Sequence, residues 1–130
     1  TKGGSSRPAK RSRQSKSEER SGVAEHDVYL TAEAEADLDE IVEYIEDHDS
    51  AERADYVYEN IKQSILKLEV LPGRGRVVPE LRPWGIMEYR ETIYKPYRII
   101  YFVSGKRVIV HAIFDGRRGV EELLSRRFLR

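Results

Sequence analysis

The chain is 130 residues long, and its 23 basic and 23 acidic side chains leave a formal net charge of zero. That length allows one small domain with one modest core. It has no cysteine, which excludes disulfides, thiolate metal sites and a cysteine nucleophile, and no apolar run reaches the length of a membrane-spanning helix.

The zero sum hides a partition. Residues 1–27 carry 7 basic and 4 acidic side chains, residues 28–71 carry 3 and 13, and residues 72–130 carry 13 and 6. The first block is therefore mildly basic, the second strongly acidic and the third strongly basic. A polarised chain of this kind suits a nucleic acid or an acidic protein as partner. The competing reading is that the two halves compensate each other within an ordinary fold.

Residues 1–27 are dominated by Ser, Gly, Arg, Lys and Glu. Such a segment cannot bury enough surface to offset its ordering entropy, and it is predicted to be a disordered basic tail. It has no apolar core of the signal-peptide kind, so a cytoplasmic protein with no membrane partner is expected. The folded domain is then 28–130.

Val28-Tyr29-Leu30 reads as a short strand. Thr31 has the character of a helix N-cap, with Glu33 and Glu35 placed to favour the helix dipole. Ala34, Leu38, Ile41, Val42 and Ile45 fall at helical spacing, and acidic residues fill the other face to a stop near His48. Ser50 can cap a second helix whose apolar stripe is Ala54, Val57, Tyr58, Ile61, Ile65 and Leu68, stopped by Leu71-Pro72-Gly73. Two amphipathic helices joined this closely form an antiparallel helical hairpin.

Residues 72–86 are irregular, and Trp84 is expected to be a packing anchor beneath them. Thr92, Tyr94, Tyr97, Ile99, Tyr101 and Val103 favour strands on either side of Lys95-Pro96, predicting a β-hairpin over 87–103. Arg107–Phe114 is the most apolar strand, and Val120, Leu123, Leu124 and Phe128 belong to a short final helix. The predicted class is α+β: a short N-terminal strand, a helical hairpin packed in two layers on a small antiparallel meander, and a short C-terminal helix.

Several side chains are candidates for chemistry. Arg98, Arg117 and Arg118 lie at a strand start and just past a strand end, positions that a meander brings close together. Arginines there can hold a phosphate bidentately. Arg90, Tyr94 and Tyr97 extend the same surface, since tyrosines stack on bases or transfer protons. The structural alternative has the tyrosines half-buried and the arginines paired with the acidic helices. His26, His48 and His111 are too scattered for a metal site, and no nucleotide or cofactor fingerprint is present, so neither a metal nor a cofactor is expected. An apolar face on the last helix, formed by Leu123, Leu124 and Phe128, would mark a partner-binding site if it stood free.

Taken together, several segments resemble the RelE/ParE superfamily of toxins from type II toxin–antitoxin modules. They are Tyr29-Leu30-Thr31-Ala32-Glu33-Ala34-Glu35-Ala36-Asp37-Leu38, Pro79-Glu80-Leu81, Glu88-Tyr89-Arg90-Glu91, Tyr97-Arg98-Ile99-Ile100-Tyr101 and Asp115-Gly116-Arg117-Arg118. The resemblance spans 28–130. It implies a helical hairpin on a small antiparallel sheet, and a growth-inhibiting bacterial toxin of the plasmid-stabilisation kind, neutralised by a cognate antitoxin. RelE-like members cleave messenger RNA on the ribosome with basic residues and a late tyrosine, whereas ParE-like members inhibit DNA gyrase.

Arg98 and Arg118 match two of the basic positions. The late tyrosine has no counterpart, its place falling near Leu124. Tyr89 and Glu91 stand where RelE-like members carry lysines. The longer helical hairpin and the Thr-Ala-Glu-Ala opening are ParE-like, so the resemblance implies a gyrase inhibitor whose antitoxin docks where the last helix lies. The alternative it leaves is a ribosome-dependent mRNA endonuclease with Arg98 and Arg118 as catalytic residues and Tyr94 or Tyr97 in place of the missing tyrosine. A non-toxic binding module of the same fold is the third reading, and whether the chain is an enzyme stays open at this point.

Overall fold

Thr31 and Ser50 set the helical layer. In the computed structural model, which describes residues 25–129, β1 (Asp27–Leu30) ends where Thr31 caps α1 (Ala32–His48). The Thr31 hydroxyl oxygen accepts the Ala34 N–H at 3.1 Å. Ser50 repeats the device for α2 (Ala51–Leu66), accepting the Arg53 N–H at 3.0 Å. Each cap satisfies an amide that the first helical turn leaves without a partner. The two-residue connection folds α2 back along α1, and the expected stripes Ala34, Leu38, Ile45 and Ala54, Val57, Ile61, Ile65 are all buried.

The sheet has five strands in the order β1-β5-β4-β3-β2, where β2 is Arg76–Val77, β3 Arg90–Tyr94, β4 Tyr97–Ser104 and β5 Arg107–Asp115. The predicted meander is β3-β4-β5, closed by a two-residue turn at Lys95-Pro96. Two features differ from the expectation. The sheet is mixed, because β1 runs parallel to β5, with the helical hairpin serving as the long crossover that a parallel pair requires. A two-residue strand, β2, also adds to the outer edge of β3 out of the segment read as irregular.

The sheet is covered on both faces, so the fold has three layers rather than two. Ile99, Tyr101, Val108, Val110 and Ile113 face the helical hairpin. Ile100, Ala112 and Phe114 face the other way, beneath α3 (Val120–Phe128) and a 3₁₀ segment at Pro79–Trp84. A bulge makes this possible: Tyr101 pairs with Val110 and Ile100 with Ala112, which leaves His111 without an opposite residue. The extra residue inverts the alternation along β5, so Val110 and Ile113 both reach the helical core while Ala112 and Phe114 reach α3. Trp84 is 49% exposed rather than an anchor, and Leu81 takes the buried place in its segment.

The disordered-tail reading of 1–24 lies outside the described residues. Residues 25–27 belong to the fold: the Glu25 and His26 amides donate to the Glu69 carbonyl at 3.0 and 3.1 Å, and Asp27 opens β1.

The bulge also places His111 in an aromatic cluster, with ring centroids 5.4 Å from Tyr89, 5.1 Å from Phe102 and 6.1 Å from Phe128. Burial there pushes the His111 imidazole below its usual range, opposed by Glu33 and helped by Arg127. A base whose folded-state pKa is depressed contributes stability that is present above the unfolded value of 6.5 and lost as pH falls below it. Asp37, which burial holds above its ordinary value, has the opposite sign. Urea unfolding of the wild type should therefore show stability dropping between about pH 7 and pH 5.5, the window just around an ordinary histidine. In the difference from His111→Phe the Asp37 contribution cancels, and an equal slope in the two proteins would refute the assignment.

Candidate functional site

The arginine of the Tyr-Arg motif lies at the centre of an ion-pair network. Arg98 is 8% exposed on the face of β4 turned to α3. Its Nε donates to Glu91 Oε1 at 2.6 Å, while Nη1 and Nη2 donate to the two carboxylate oxygens of Glu80 at 2.9 and 2.7 Å. The second Glu91 oxygen accepts from Arg76 Nε at 2.5 Å. The guanidinium also lies 5.5 Å from the centroid of the Phe114 ring. The hydrogen bond from Arg98 holds the Glu80 carboxyl below its usual value, and the two carboxylates raise Arg98 above its own.

Gly116 is part of this geometry, because a Cβ there would stand 2.7 Å from Arg98 Cδ. The Asp115-Gly116 pair that ends β5 thus leaves room for the arginine stem. Bidentate pairing of this kind is geometrically demanding and strong, and it engages the whole fork of Arg98. The residue expected to grip a phosphate instead ties the 3₁₀ segment and β3 to β4.

The remaining predicted residues divide between two ends of the sheet. Arg90 lies away from Tyr94 and Tyr97, opposite Tyr101, and donates through Nη1 to the Gly75 carbonyl at 2.7 Å. Tyr94, Tyr97, Arg117 and Arg118 gather at the opposite end, where the β3–β4 turn, the end of β5 and the α1–α2 loop meet. Tyr44, His48 and Arg53 arrive there from the helices, and with Lys95, Tyr97 and Arg117 they line a cavity of about 320 Å³. Tyr44 and Tyr97 also line a neighbouring cavity of about 470 Å³ that includes Arg118.

At this tip Tyr44 is 52% exposed, stacks on His48 at 4.0 Å and carries the Arg118 guanidinium 5.8 Å from its ring centroid. Arg53, Lys95, Arg117 and Arg118 are all exposed. Arg117 is fixed by Asp115, to which its Nε and Nη2 donate at 3.0 and 2.9 Å. The same contact draws the Asp115 carboxyl below its ordinary value. Burial pushes the Tyr97 phenol up, with Asp115 adding to the effect, so at neutral pH Tyr97 is a protonated donor and a poor general base. The arrangement sets exposed cations beside aromatic faces, with Asp49 lining the first cavity and Asp37, Glu40 and Asp115 lining the second.

Tyr44, His48, Arg53 and Lys95 were not singled out in the sequence as parts of this surface. Their only signal was positional, since the helix–helix loop and the β3–β4 turn come to the same end of the sheet. The apolar residues of the last helix also fall differently from the expectation. Leu124 is fully buried and Leu123 and Phe128 are half-buried against the sheet, so α3 already covers the face on which a partner was expected to dock. Arg127 holds it there, donating to the His111 carbonyl at 3.0 Å and to the Asp37 carboxylate.

The profile of a family described as "ParE toxin of type II toxin-antitoxin system, parDE" matches residues 28–120. The chain belongs to the ParE toxin family. A solved structure titled "Chromosomal ParDE TA system from P. aeruginosa" shares the fold with a TM-score of 0.60 at 20% identity, covering 70% of this chain and 96% of that one. No curated protein matches the sequence. The matched range contains the whole Arg98 network and all the cations of the tip, and α3 is the part of the fold that runs past it.

For this ParE-family chain the Arg98 network generates a direct test. Removing one member of a buried ion-pair set strands the others, typically at about 3–5 kcal/mol. Arg98→Ala should therefore lower unfolding stability by about that amount, whereas Arg118→Ala at the exposed tip should stay within about 0.5 kcal/mol of the parent. Equal, small effects in urea unfolding would show that Arg98 is not structural.

Proposed function

We infer that this chain is the toxin of a type II toxin–antitoxin pair, that it acts in the cytoplasm by binding and inhibiting DNA gyrase, and that a cognate antitoxin neutralises it. One observation carries the choice of binding over bond cleavage. The arginine that an RNA-cleaving reading places on the scissile phosphate is buried and bound to Glu80 and Glu91. An occupied guanidinium cannot stabilise developing phosphoryl charge without first breaking two charge-assisted contacts. The surface that remains available, Arg53, Lys95, Arg117 and Arg118 among Tyr44, Tyr94 and Tyr97, is suited to electrostatic docking.

A second reading, ribosome-dependent cleavage of mRNA, keeps one supporting observation. Arg118 and Tyr97 line one cavity together, and a phosphate held by Arg118 would have a neutral phenol beside it as a proton donor.

The test compares the purified parent with Arg118→Glu and Lys95→Glu in a gyrase supercoiling assay, with growth of expressing cells as a parallel readout. The parent should block supercoiling and arrest growth. Each reversal should weaken inhibition by about tenfold, a loss of roughly 1.4 kcal/mol in binding, with the melting temperature unchanged. Messages cut at ribosomal A-site codons with supercoiling left intact would replace this reading by the endonuclease one. An expressed parent that leaves growth unaffected would make the chain a non-toxic binding module.

A further inference from the structure

We propose that the cavity between the α1–α2 loop and the β3–β4 turn is a nucleotide site, taking a nucleoside phosphate with its ring against the aromatic wall and its phosphate on Arg53 and Lys95. The inference goes beyond the gyrase reading and does not rest on it, because the site lies within one chain.

Three kinds of chemistry meet in this cavity of about 320 Å³. That volume is at the lower end of the range for small-ligand clefts and matches one nucleotide. The first kind is flat aromatic surface. Tyr44 and His48 reach the cavity from α1, and Tyr94 and Tyr97 from the two ends of the turn. The Tyr44 and His48 rings are already stacked, with centroids 4.0 Å apart and planes 19° from parallel. The His48 Nδ1 lies 2.9 Å from the Tyr44 carbonyl oxygen, within hydrogen-bonding distance, which fixes the pair. Rings ordered in advance lose little freedom when a planar ligand joins them, and stacking tolerates any base because every base has a π-face.

The second kind is positive charge. Arg53, in the first turn of α2, and Lys95, in the β3–β4 turn, are exposed and make no ion pair among the described residues. Arg117 also lines the cavity but is engaged by Asp115.

The third kind is a single carboxylate, Asp49, and it decides the ligand class. An acidic peptide has no donor for it and is repelled by it. A nucleotide carries an anion for the two cations and, on its sugar or base, hydroxyl or amine donors for a carboxylate. The neighbouring cavity, which shares Tyr44 and Tyr97, sets Asp37, Glu40 and Asp115 against Arg118 alone and is a poorer place for a phosphate. The same chemistry is offered by a free nucleotide and by the phosphorylated end of a single strand.

The test titrates the full chain calorimetrically with AMP, adenosine and inorganic phosphate. AMP should bind about tenfold more tightly than either part. Arg53→Glu, Lys95→Glu and Tyr44→Ala should each weaken AMP by about tenfold with the melting temperature unchanged, while Tyr44→Phe binds like the parent. Asp49→Ala should weaken AMP and strengthen phosphate. An AMP titration without binding, AMP no tighter than phosphate, or an Asp49→Ala protein that binds both more tightly would overturn the proposal. So would a hexaglutamate peptide that binds more tightly than AMP, which would make the tip a protein-docking surface.

A strand of about eight adenylates, phosphorylated at its end, separates the two sources. Tighter binding than AMP assigns a strand end, and weaker binding assigns a free nucleotide. The supercoiling assay is read independently. AMP binding without inhibition of gyrase leaves the site standing and removes the gyrase reading, and inhibition without AMP binding does the opposite.

Discussion

The structure depends on one side chain that has two carboxylates to satisfy. Arg98 reaches from the middle strand of the meander to Glu91 on the neighbouring strand and to Glu80 in the loop above. Replacing such a network by apolar packing can be neutral or stabilising, so its existence does not explain stability by itself. What it does specify is position. The 3₁₀ segment Pro79–Trp84 has few apolar anchors besides Leu81, and Glu80 fixes where that segment crosses the sheet. Leu81 and Val78 can then join Ile100, Ala112, Phe114 and Leu124 in the second core. Without a fixed loop, α3 would lose Val78 and Leu81 from the core it packs on.

The second core also depends on the bulge at His111. A regular β5 would send Val110 and Ala112 to the same face and leave one core without its residues. Because the bulge inverts the alternation, one strand serves two cores in succession, Val108 and Val110 for the helical hairpin and then Ala112 and Phe114 for α3, with Ile113 returning to the first. The same bulge puts an imidazole into a ring cluster where a proton is disfavoured. Packing and pH response are therefore two consequences of one irregularity in the ladder.

Local signals were legible in the sequence wherever one residue decides one element. Thr31 and Ser50 are caps by type, the α1 and α2 stripes follow a 3.6-residue period, and the turn at Lys95-Pro96 divides two β-rich runs. What was not legible depends on pairing over distance. Whether β1 joins β5 in parallel cannot be read from a four-residue strand. The inversion at His111 has no local signature, since a lone histidine between apolar residues also fits a regular strand. Arg98 is the sharpest instance. Its spacing to Glu91 and Glu80 shows nothing until the hairpin register and the loop path bring all three together, so a phosphate-binding and a structural arginine look identical in one dimension. Leu124 is similar, because an apolar helix face reads alike whether a partner or the chain's own sheet covers it.

The acidic and basic blocks of the sequence acquire a different meaning in three dimensions. The exposed carboxylates of α1 stay on the outer surface of the helical layer, while six residues of the basic block fall into three groups. Arg98 is neutralised inside the network, and the exposed Arg76 pairs with Glu91 at its margin. Lys95, Arg117 and Arg118 join Arg53 at the tip, and Arg74 joins Lys67 beside the open edge of β3. Both groups of exposed cations thus lie at sheet features, a turn and an edge, where the backbone is already fixed by the ladder and little ordering entropy remains to be lost on binding. The helices between them carry the opposite sign, which repels an anionic ligand from the intervening face. On the toxin reading proposed above, the tip is the surface offered to the target, where Arg53, Lys95, Arg117 and Arg118 are exposed.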